Sequence, residues 1–246
     1  MVETTDDSLL GGRVGLTQPA KGHRAGTDAV LLAASVSAKP GDLVVDVGAS
    51  TGAVGLMVAA REKGVRLVFV ERDPDLAELC RRNCLRNGIE GQVAAVDVLD
   101  RSARQAAGLL PESADWVVTN PPFLEAGQAR ISPDRGRAAA HALPAGGLEA
   151  WLKACAGLLR PRGGLALIHR ADRLADCLML LGKGMGALQL RLVHPSADRP
   201  AIRFLLTGTK GSRAPLAVLP PVILNGPDGR FTPQAEALHR GEAFLP

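Results

Sequence analysis

The run Leu43–Gly52, LVVDVGASTG, constrains the fold of this 246-residue chain more than any other stretch. Five residues of strand type lead into a turn of small residues, and the segment AVGLMVAA that follows has helical composition. Strand, small-residue turn and helix form the ligand-binding unit of doubly wound α/β folds. Small residues let a ligand approach the backbone closely, and the first N–H groups of the helix are unpaired. Glycine-rich turns also close ordinary βα units, so this run alone leaves ligand binding open.

Strand-type and helix-type segments alternate through most of the chain. The pattern predicts a Rossmann-like, doubly wound α/β fold: a mostly parallel seven-stranded sheet with an antiparallel edge strand and helices on both faces. Predicted strands cover 43–47, 66–70, 92–96, 114–119, 165–169, 188–194 and 201–207, with a hairpin within 8–18 and a further strand within 216–224. Predicted helices cover 29–38, 53–62, 73–86, 100–108, 147–159 and 171–181, the first with Thr27 as its N-cap.

These elements predict a single domain over residues 1–246. It comprises a lead-in segment and helix (1–41), a Rossmann-like core (42–208) and a Pro/Gly-rich C-terminal extension (209–246) without a core of its own. Residues 124–145 lack periodicity and are interpreted as a long functional loop or lid.

Composition narrows the class of protein. Hydrophobic residues make up 46% of the chain and charged residues 22%, as in ordinary globular proteins. No apolar run reaches 18 residues, and the acidic N-terminus does not resemble a signal peptide, so we expect a cytoplasmic protein without a membrane partner. The four cysteines show no metal-binding spacing. The sequence therefore predicts no metal site and free thiols in a reducing compartment.

Charge is unevenly distributed along the chain. Residues 42–120 carry nine basic and twelve acidic side chains, net −3, whereas residues 121–170 carry seven basic and three acidic, net +4. Residues 171–246 add a further net +3, from nine basic and six acidic side chains. A basic sector beside a small-molecule site suggests an anionic macromolecular substrate, although scattered solvated charges would give the same count.

Three acidic residues close, or lie just beyond, three successive predicted strands: Asp46, Glu71 and Asp97. The carboxyl ends of parallel strands line one crevice in a doubly wound sheet. Glu71 lies nineteen residues after Gly52, near the spacing of about 20 at which an acid reaches a ribose hydroxyl. Asp97 is placed to meet an exocyclic amine of a base, and Asp46 could orient the turn or an ammonium group. Together with the turn, they predict a cofactor that contains a nucleoside.

The segment Asn120–Phe123, Asn-Pro-Pro-Phe, ends the fourth predicted strand of the core. Its two prolines fix the backbone and remove two N–H donors, which leaves carbonyl oxygens free. Asn120 adds a side-chain oxygen and Phe123 an aromatic face. The motif therefore provides acceptors for an –NH₂ group and a stacking surface for the planar group that carries it.

In this order, the Asp46–Gly52 turn, Glu71, Asp97 and Asn120–Phe123 resemble class I S-adenosylmethionine-dependent methyltransferases that methylate amino nitrogens. The flanking segments GHRAGTDAVLLAA (22–34) and RAAAH (137–141) extend the likeness to the bacterial tRNA adenine-N6 methyltransferase family that acts on valine tRNA. The resemblance implies that Asp46, Gly48, Ser50, Gly52, Glu71, Asp97 and Asn120 bind S-adenosylmethionine. Asn120, the Pro121 carbonyl and Phe123 would be catalytic, holding the target amine and stacking on its base.

The chain departs from the family pattern at two positions. Ser50 replaces the middle glycine of the turn, and Phe123 stands where tyrosine is common. We expect Ser50 to be strained if the backbone there requires a positive φ. For binding a tRNA substrate, the candidates are Lys21, Arg24, Phe123, Arg135, Arg137 and His141. Of these, Arg135, Arg137 and His141 lie in the predicted lid, where they could meet phosphate or solvent.

Three other functions stay open at this point. Release-factor methyltransferases also use Asn-Pro-Pro, so a protein glutamine amide is an alternative substrate. Adenine in DNA or rRNA is another alternative substrate, and it is chemically closer to adenine in tRNA. The altered turn also allows a binding module that no longer holds cofactor. The oligomeric state is not predicted.

Overall fold

The computed structural model describes residues 3–22, 24–122 and 147–245. Their strands are β1 (Thr4–Leu9), β2 (Val14–Pro19), β3 (Leu43–Val47), β4 (Arg66–Val70), β5 (Gly91–Ala94), β6 (Ala114–Thr119), β7 (Leu159–Arg170), β8 (Met185–His194), β9 (Arg203–Lys210), β10 (Ala217–Val218) and β11 (Val222–Ile223). Their helices are α1 (Thr27–Ala34), α2 (Ala53–Arg61), α3 (Pro74–Arg86), α4 (Arg101–Ala106), α5 (Gly147–Leu158), α6 (Leu174–Leu181) and α7 (Pro233–Arg240), with a 3-10 turn at Ala171–Arg173.

A nine-stranded sheet in the order β10-β8-β9-β7-β6-β3-β4-β5, with β11 also paired to β8, forms the centre of the molecule. All pairs are parallel except those of β9, which runs antiparallel to both β7 and β8. The predicted mostly parallel α/β sheet is confirmed. Its antiparallel strand, predicted at the edge, is the inner strand β9. The two short strands β10 and β11 lie within 216–224, where one further strand was predicted, and extend the seven-stranded sheet to nine strands.

Helices cover both faces of the sheet, because side chains of successive strand residues point to opposite sides. On one face, Val44 and Phe69 pack with α1, α2, α3 and α7. On the other, Val45 and Val47 pack with α5 and α6. The carboxyl ends of the parallel central strands β3, β4 and β6 lie at one edge of the sheet, which is where a doubly wound sheet binds its ligands.

The hairpin of β1 and β2 docks onto α3 through two asparagines one helical turn apart. The Asn83 side chain donates to the carbonyls of Thr17 and Thr51 and accepts from the Thr17 N–H, at 2.8–2.9 Å. Asn87 exchanges two hydrogen bonds with the Gly15 backbone. The two side-chain amides continue the edge of β2 as a neighbouring strand would.

Several helix boundaries differ from their predictions. Helix α1 begins at Thr27 with Gly26 at the N-cap and no side-chain cap, so the prediction of Thr27 as N-cap was wrong. The Asp73 cap is confirmed: its carboxylate accepts from the amides of Asp75 and Leu76, and Pro74 opens α3. The C-terminal segment, predicted to have no core of its own, contains a helix that was not predicted, α7, whose Ala235 and Leu238 are buried in the core shared with α1 and α2.

Candidate active site

The turn between β3 and α2 alternates residues of left-handed conformation. Gly48, Ser50 and Gly52 have φ values of 75°, 50° and 87°. The amides of Gly48 and Ala49 both donate to the Val70 carbonyl, at 2.9 and 3.0 Å, which ties the turn to the end of β4. Glycine takes up such a φ freely, whereas a side chain at Ser50 costs conformational energy. The strain expected for Ser50 from the sequence is therefore present.

Close packing also requires the two glycines of this turn. A Cβ on Gly48 would lie 3.0 Å from Cζ2 and 3.2 Å from Cη2 of the Trp151 indole. A Cβ on Gly52 would lie 2.7 Å from the Sγ of Cys80. The indole of α5 and the thiol of α3 thus press on the turn from two sides and fix its path.

Glu71 follows β4 and holds the tip of the turn. Its side chain is buried, its Oε2 accepts from the Ser50 N–H at 2.8 Å, and its Oε1 accepts from the Asp73 N–H at 2.9 Å. Two amide donors orient the carboxylate, and each oxygen keeps a second lone pair for a further donor. The carboxylate is therefore pre-oriented beside the turn, where it can accept from hydroxyl groups.

Asp46 lies inside β3 and is 2% exposed. Its Oδ2 accepts from the Gly55 N–H at 2.9 Å, in the first turn of α2. Burial raises the pKa of this carboxyl to about 7, and the nearby Glu71 charge adds to the rise, while the Gly55 hydrogen bond opposes it. Of the two roles considered for Asp46, orienting the turn matches this contact.

Asp97 lies three residues beyond the last residue of β5, Ala94, because that strand ends earlier than predicted. Its Oδ1 accepts from the Leu99 N–H at 2.8 Å, and the side chain is half-buried. This bond directs the carboxylate toward the loop that follows β5. That loop lies at the same end of the sheet as Glu71.

The register places Asn120 level with the turn. Val47 pairs with Val70 on one side and Thr119 on the other, so Gly48, Glu71 and Asn120 are each the first residue beyond their strands. The Oδ1 of Asn120 is buried, and no donor in the described part of the chain bonds to it. A buried acceptor without a partner costs on the order of 1–3 kcal/mol, which a ligand that donates an N–H would recover.

Two further residues of this site, Thr119 and Trp151, were not predicted from the sequence. The Trp151 Nε1–H donates to the Thr119 Oγ1 at 2.9 Å, and that hydroxyl donates to the Val47 carbonyl at 2.9 Å. All these groups are buried. The only sequence signal was that Trp151 is one of two tryptophans in the chain.

The other predicted residues are not joined to this group by the contacts described. Arg24 pairs with Asp7 of the hairpin at 2.6 Å and also bonds to the Thr5 hydroxyl. Lys21 is exposed. The remaining substrate candidates lie outside the described residues: Phe123, Arg135, Arg137 and His141. The predicted loop at 124–145 lies outside them as well.

Within the described ranges, no three His, Cys, Asp or Glu side chains come together as metal ligands would. The four cysteines are free and buried, as expected. No helix among the described residues is long and apolar enough to cross a membrane.

Comparison with known proteins identifies the family. The family model described as "Methyltransferase small domain" matches residues 24–152. A tRNA1(Val) (adenine(37)-N6)-methyltransferase of Porphyromonas gingivalis is 34% identical over 170 residues, 67% of this chain and 65% of the relative. One of Aeromonas hydrophila with the same name is 34% identical over 59% of this chain and 58% of the relative. The aligned chain thus spans less than two thirds of either relative.

A solved structure covers more of the chain. The crystal structure of a protein from Agrobacterium tumefaciens, described as a predicted O-methyltransferase, is 31% identical with a TM-score of 0.74. The match covers 89% of this chain and 98% of that one. With the family model spanning more than half of the sequence, this chain belongs to the methyltransferase small domain family.

Proposed function

We propose that this protein is an S-adenosylmethionine-dependent methyltransferase that transfers a methyl group to the exocyclic N6 amine of an adenine in tRNA. The observation that carries the proposal is the buried Oδ1 of Asn120, level with Gly48 and Glu71, to which no donor among the described residues bonds. The names of the relatives support tRNA as the substrate, with adenine 37 of a valine tRNA as the first position to test. A tRNA substrate also implies a cytoplasmic location.

The residues at the carboxyl ends of β3, β4 and β5 fit the cofactor. Gly48 gives the turn the left-handed backbone that brings it close to a ligand, Glu71 keeps lone pairs for the ribose hydroxyls, and Asp97 offers a carboxylate for the adenine amine. When bound, the cofactor supplies an electrophilic methyl group. Asp46 contributes by holding the first turn of α2 through Gly55 rather than by direct contact.

Asn120 prepares the nucleophile. An adenine amine shares its lone pair with the ring, and an acceptor on one of its hydrogens favours the geometry in which that pair is localised. The Asn120 Oδ1 and the Pro121 carbonyl are the two acceptors for this purpose, and Phe123 would stack on the base. Positioning of the amine then provides most of the rate enhancement, and the extra proton passes to water after transfer.

The test is incubation of the protein with labelled S-adenosylmethionine and undermethylated bulk tRNA, followed by nucleoside analysis. We expect labelled N6-methyladenine, and its absence from tRNA would contradict the proposal. Parallel incubations with rRNA, DNA and a glutamine-containing peptide test the alternative substrates. Label in the peptide alone would show that the substrate is a glutamine amide rather than the amine of adenine.

The Asn120→Ala variant tests the assigned role. It should lose transfer and keep its affinity for S-adenosylmethionine, measured by calorimetry. Asn225→Ala is the matched control, because Asn225 bonds to the Pro195 carbonyl beyond β8, at the far edge of the sheet. Full activity in Asn120→Ala would show that this residue does not bind the amine.

A further inference from the structure

We propose that Trp151 is a positioning residue that couples the cofactor turn to Asn120. One side chain contacts both halves of the site. Its indole N–H bonds to Thr119, the residue directly before Asn120, and its six-membered ring lies against Gly48, the first residue of the turn. The inference rests on the proposed function and adds a residue that neither binds the substrate nor reacts.

The hydrogen bonds run in one direction through buried groups. Trp151 donates to Thr119, and Thr119 donates to the carbonyl of Val47, which directly precedes Gly48. Since the indole has no acceptor, the Thr119 hydroxyl must receive this bond and give its own proton to Val47. These two bonds restrain the χ1 angle of Thr119 and add a side-chain link between the ends of β3 and β6, beside their backbone pairing.

The contact of the indole ring with Gly48 restrains the other half of the site, the turn between β3 and α2. Gly48 faces the edge of the indole so closely that a Cβ would lie 3.0 Å from it. Only glycine permits this approach of the indole to the turn. Loss of the indole would remove one contact from the turn at Gly48 and one from the strand end at Thr119 together.

The distance between donor and acceptor governs a direct methyl transfer. A misplacement of about 1 Å can cost two orders of magnitude in rate. The Trp151 network spans the two backbone segments whose separation sets that distance. We therefore expect its loss to reduce the rate of transfer more than it reduces binding of either substrate.

Fluorescence tests the contact with the turn without any turnover. The chain contains two tryptophans and no tyrosine. In Trp116→Phe, the emission therefore comes from Trp151 alone, and titration with S-adenosylmethionine should change it saturably, with the midpoint that calorimetry gives. Trp116 lies on β6 and packs against Gly164, away from the turn, so this variant should keep its activity.

A matched pair of variants tests the hydrogen bonds. Thr119→Val keeps the shape of the side chain and removes the hydroxyl, whereas Thr119→Ser keeps the hydroxyl. We expect kcat to fall about tenfold or more in Thr119→Val, with the calorimetric Kd for S-adenosylmethionine within about twofold of the native value. Thr119→Ser should restore most of kcat, and Trp151→Phe should reduce kcat and also weaken cofactor binding.

Each outcome decides one question. If the native protein neither binds the cofactor nor methylates RNA, the proposed function fails. Two results with an active native protein would overturn the positioning role and leave the proposed function intact. One is an unchanged kcat in Thr119→Val. The other is a Trp151 emission that does not change when calorimetry detects cofactor binding. Thermal melting of every variant separates these results from unfolding, since a folded Thr119→Val that binds cofactor and transfers slowly supports the role.

Discussion

Ser50 combines two demands that a glycine would meet without conflict. Its amide donates to Glu71, and its φ of 50° lies in the left-handed region, where the Cβ of an L-residue causes steric strain. We expect Ser50→Gly to be at least as stable as the native protein and Ser50→Ala to be less stable than Ser50→Gly by about 1 kcal/mol. Urea denaturation of the three proteins measures the difference.

The affinity of the same variants for S-adenosylmethionine tests whether the Ser50 side chain contacts the cofactor. If the turn keeps its conformation, Ser50→Gly binds S-adenosylmethionine as tightly as the native protein. A large loss of affinity in that variant would instead show that the Ser50 hydroxyl itself contacts the ligand.

Asp46 makes stability depend on pH. Its folded pKa of about 7 lies above the ordinary value of 3.8, so between these values folding takes up a proton, and stability falls as pH rises. Above pH 7 the buried charge exerts its full penalty, on the order of 4 kcal/mol. Asp46→Asn keeps an acceptor for Gly55 without the charge. We expect its advantage in melting temperature to grow from pH 4 to pH 7 and then level off.

Comparison with the native protein at each pH isolates this carboxyl, because other titrating groups are common to both. A difference in melting temperature that does not change between pH 4 and pH 8 would contradict a raised pKa. A difference that shrinks with pH would indicate that the carboxylate is stabilised by its surroundings.

At the level of elements, Asn83 on α3 links the hairpin to the turn between β3 and α2. Asn83 is fully buried and makes three hydrogen bonds, one of them to Thr51 in the turn. Asn83→Ala leaves three backbone groups unpaired, and we expect it to lower the free energy of unfolding by about 3 kcal/mol. Asn87→Ala, at a half-buried position, should cost about 1 kcal/mol. Equal effects, measured in urea, would contradict the special role of Asn83.

The core strands were predictable because their apolar runs, and the glycine, proline and asparagine residues that lie between them, are local signals. The intervals 43–47, 66–70 and 114–119 match the structure residue for residue. Helix α7 was missed although its signals were present: Thr232 caps it, Pro233 opens it and Gly241 closes it with a φ of 73°. The glycines and prolines around it gave the segment the composition of a loop.

Over the whole molecule, strand order decided which site residues could be predicted. Acids and Asn120 at strand ends converge in any doubly wound sheet, so Glu71 and Asn120 were chosen correctly as neighbours of the turn. The roles assigned to them stay predictions until tested. Trp151 could not be chosen, because its contacts with Gly48 and Thr119 depend on the packing of α5 against β6 rather than on spacing in the chain. The same holds for Asn83 and the hairpin.

The C-terminal residues pack into the same core as the lead-in helix. Leu238 is fully buried in the cluster that also holds α1 and α2. The Leu245 N–H donates to the Ala34 carbonyl at 2.9 Å, and the Arg61 guanidinium donates to the carbonyls of Leu238 and Ala243. Burial lowers the pKa of Arg61 to about 10, so it stays charged at neutral pH. We infer one cooperative domain rather than a core with a separable extension.

Leu238→Ala tests this inference. Because the side chain fills a shared core, its truncation should lower the free energy of unfolding of the whole protein by about 3 kcal/mol and leave a single transition. Leu216→Ala is the matched control, since Leu216 is 44% exposed in the same C-terminal stretch and should change stability by less than about 0.5 kcal/mol. Urea denaturation followed by tryptophan fluorescence reports on Trp116 and Trp151, both distant in sequence from Leu238. An unchanged tryptophan transition in Leu238→Ala, beside an earlier loss of helix by circular dichroism, would show that the C-terminal segment unfolds as a separate unit.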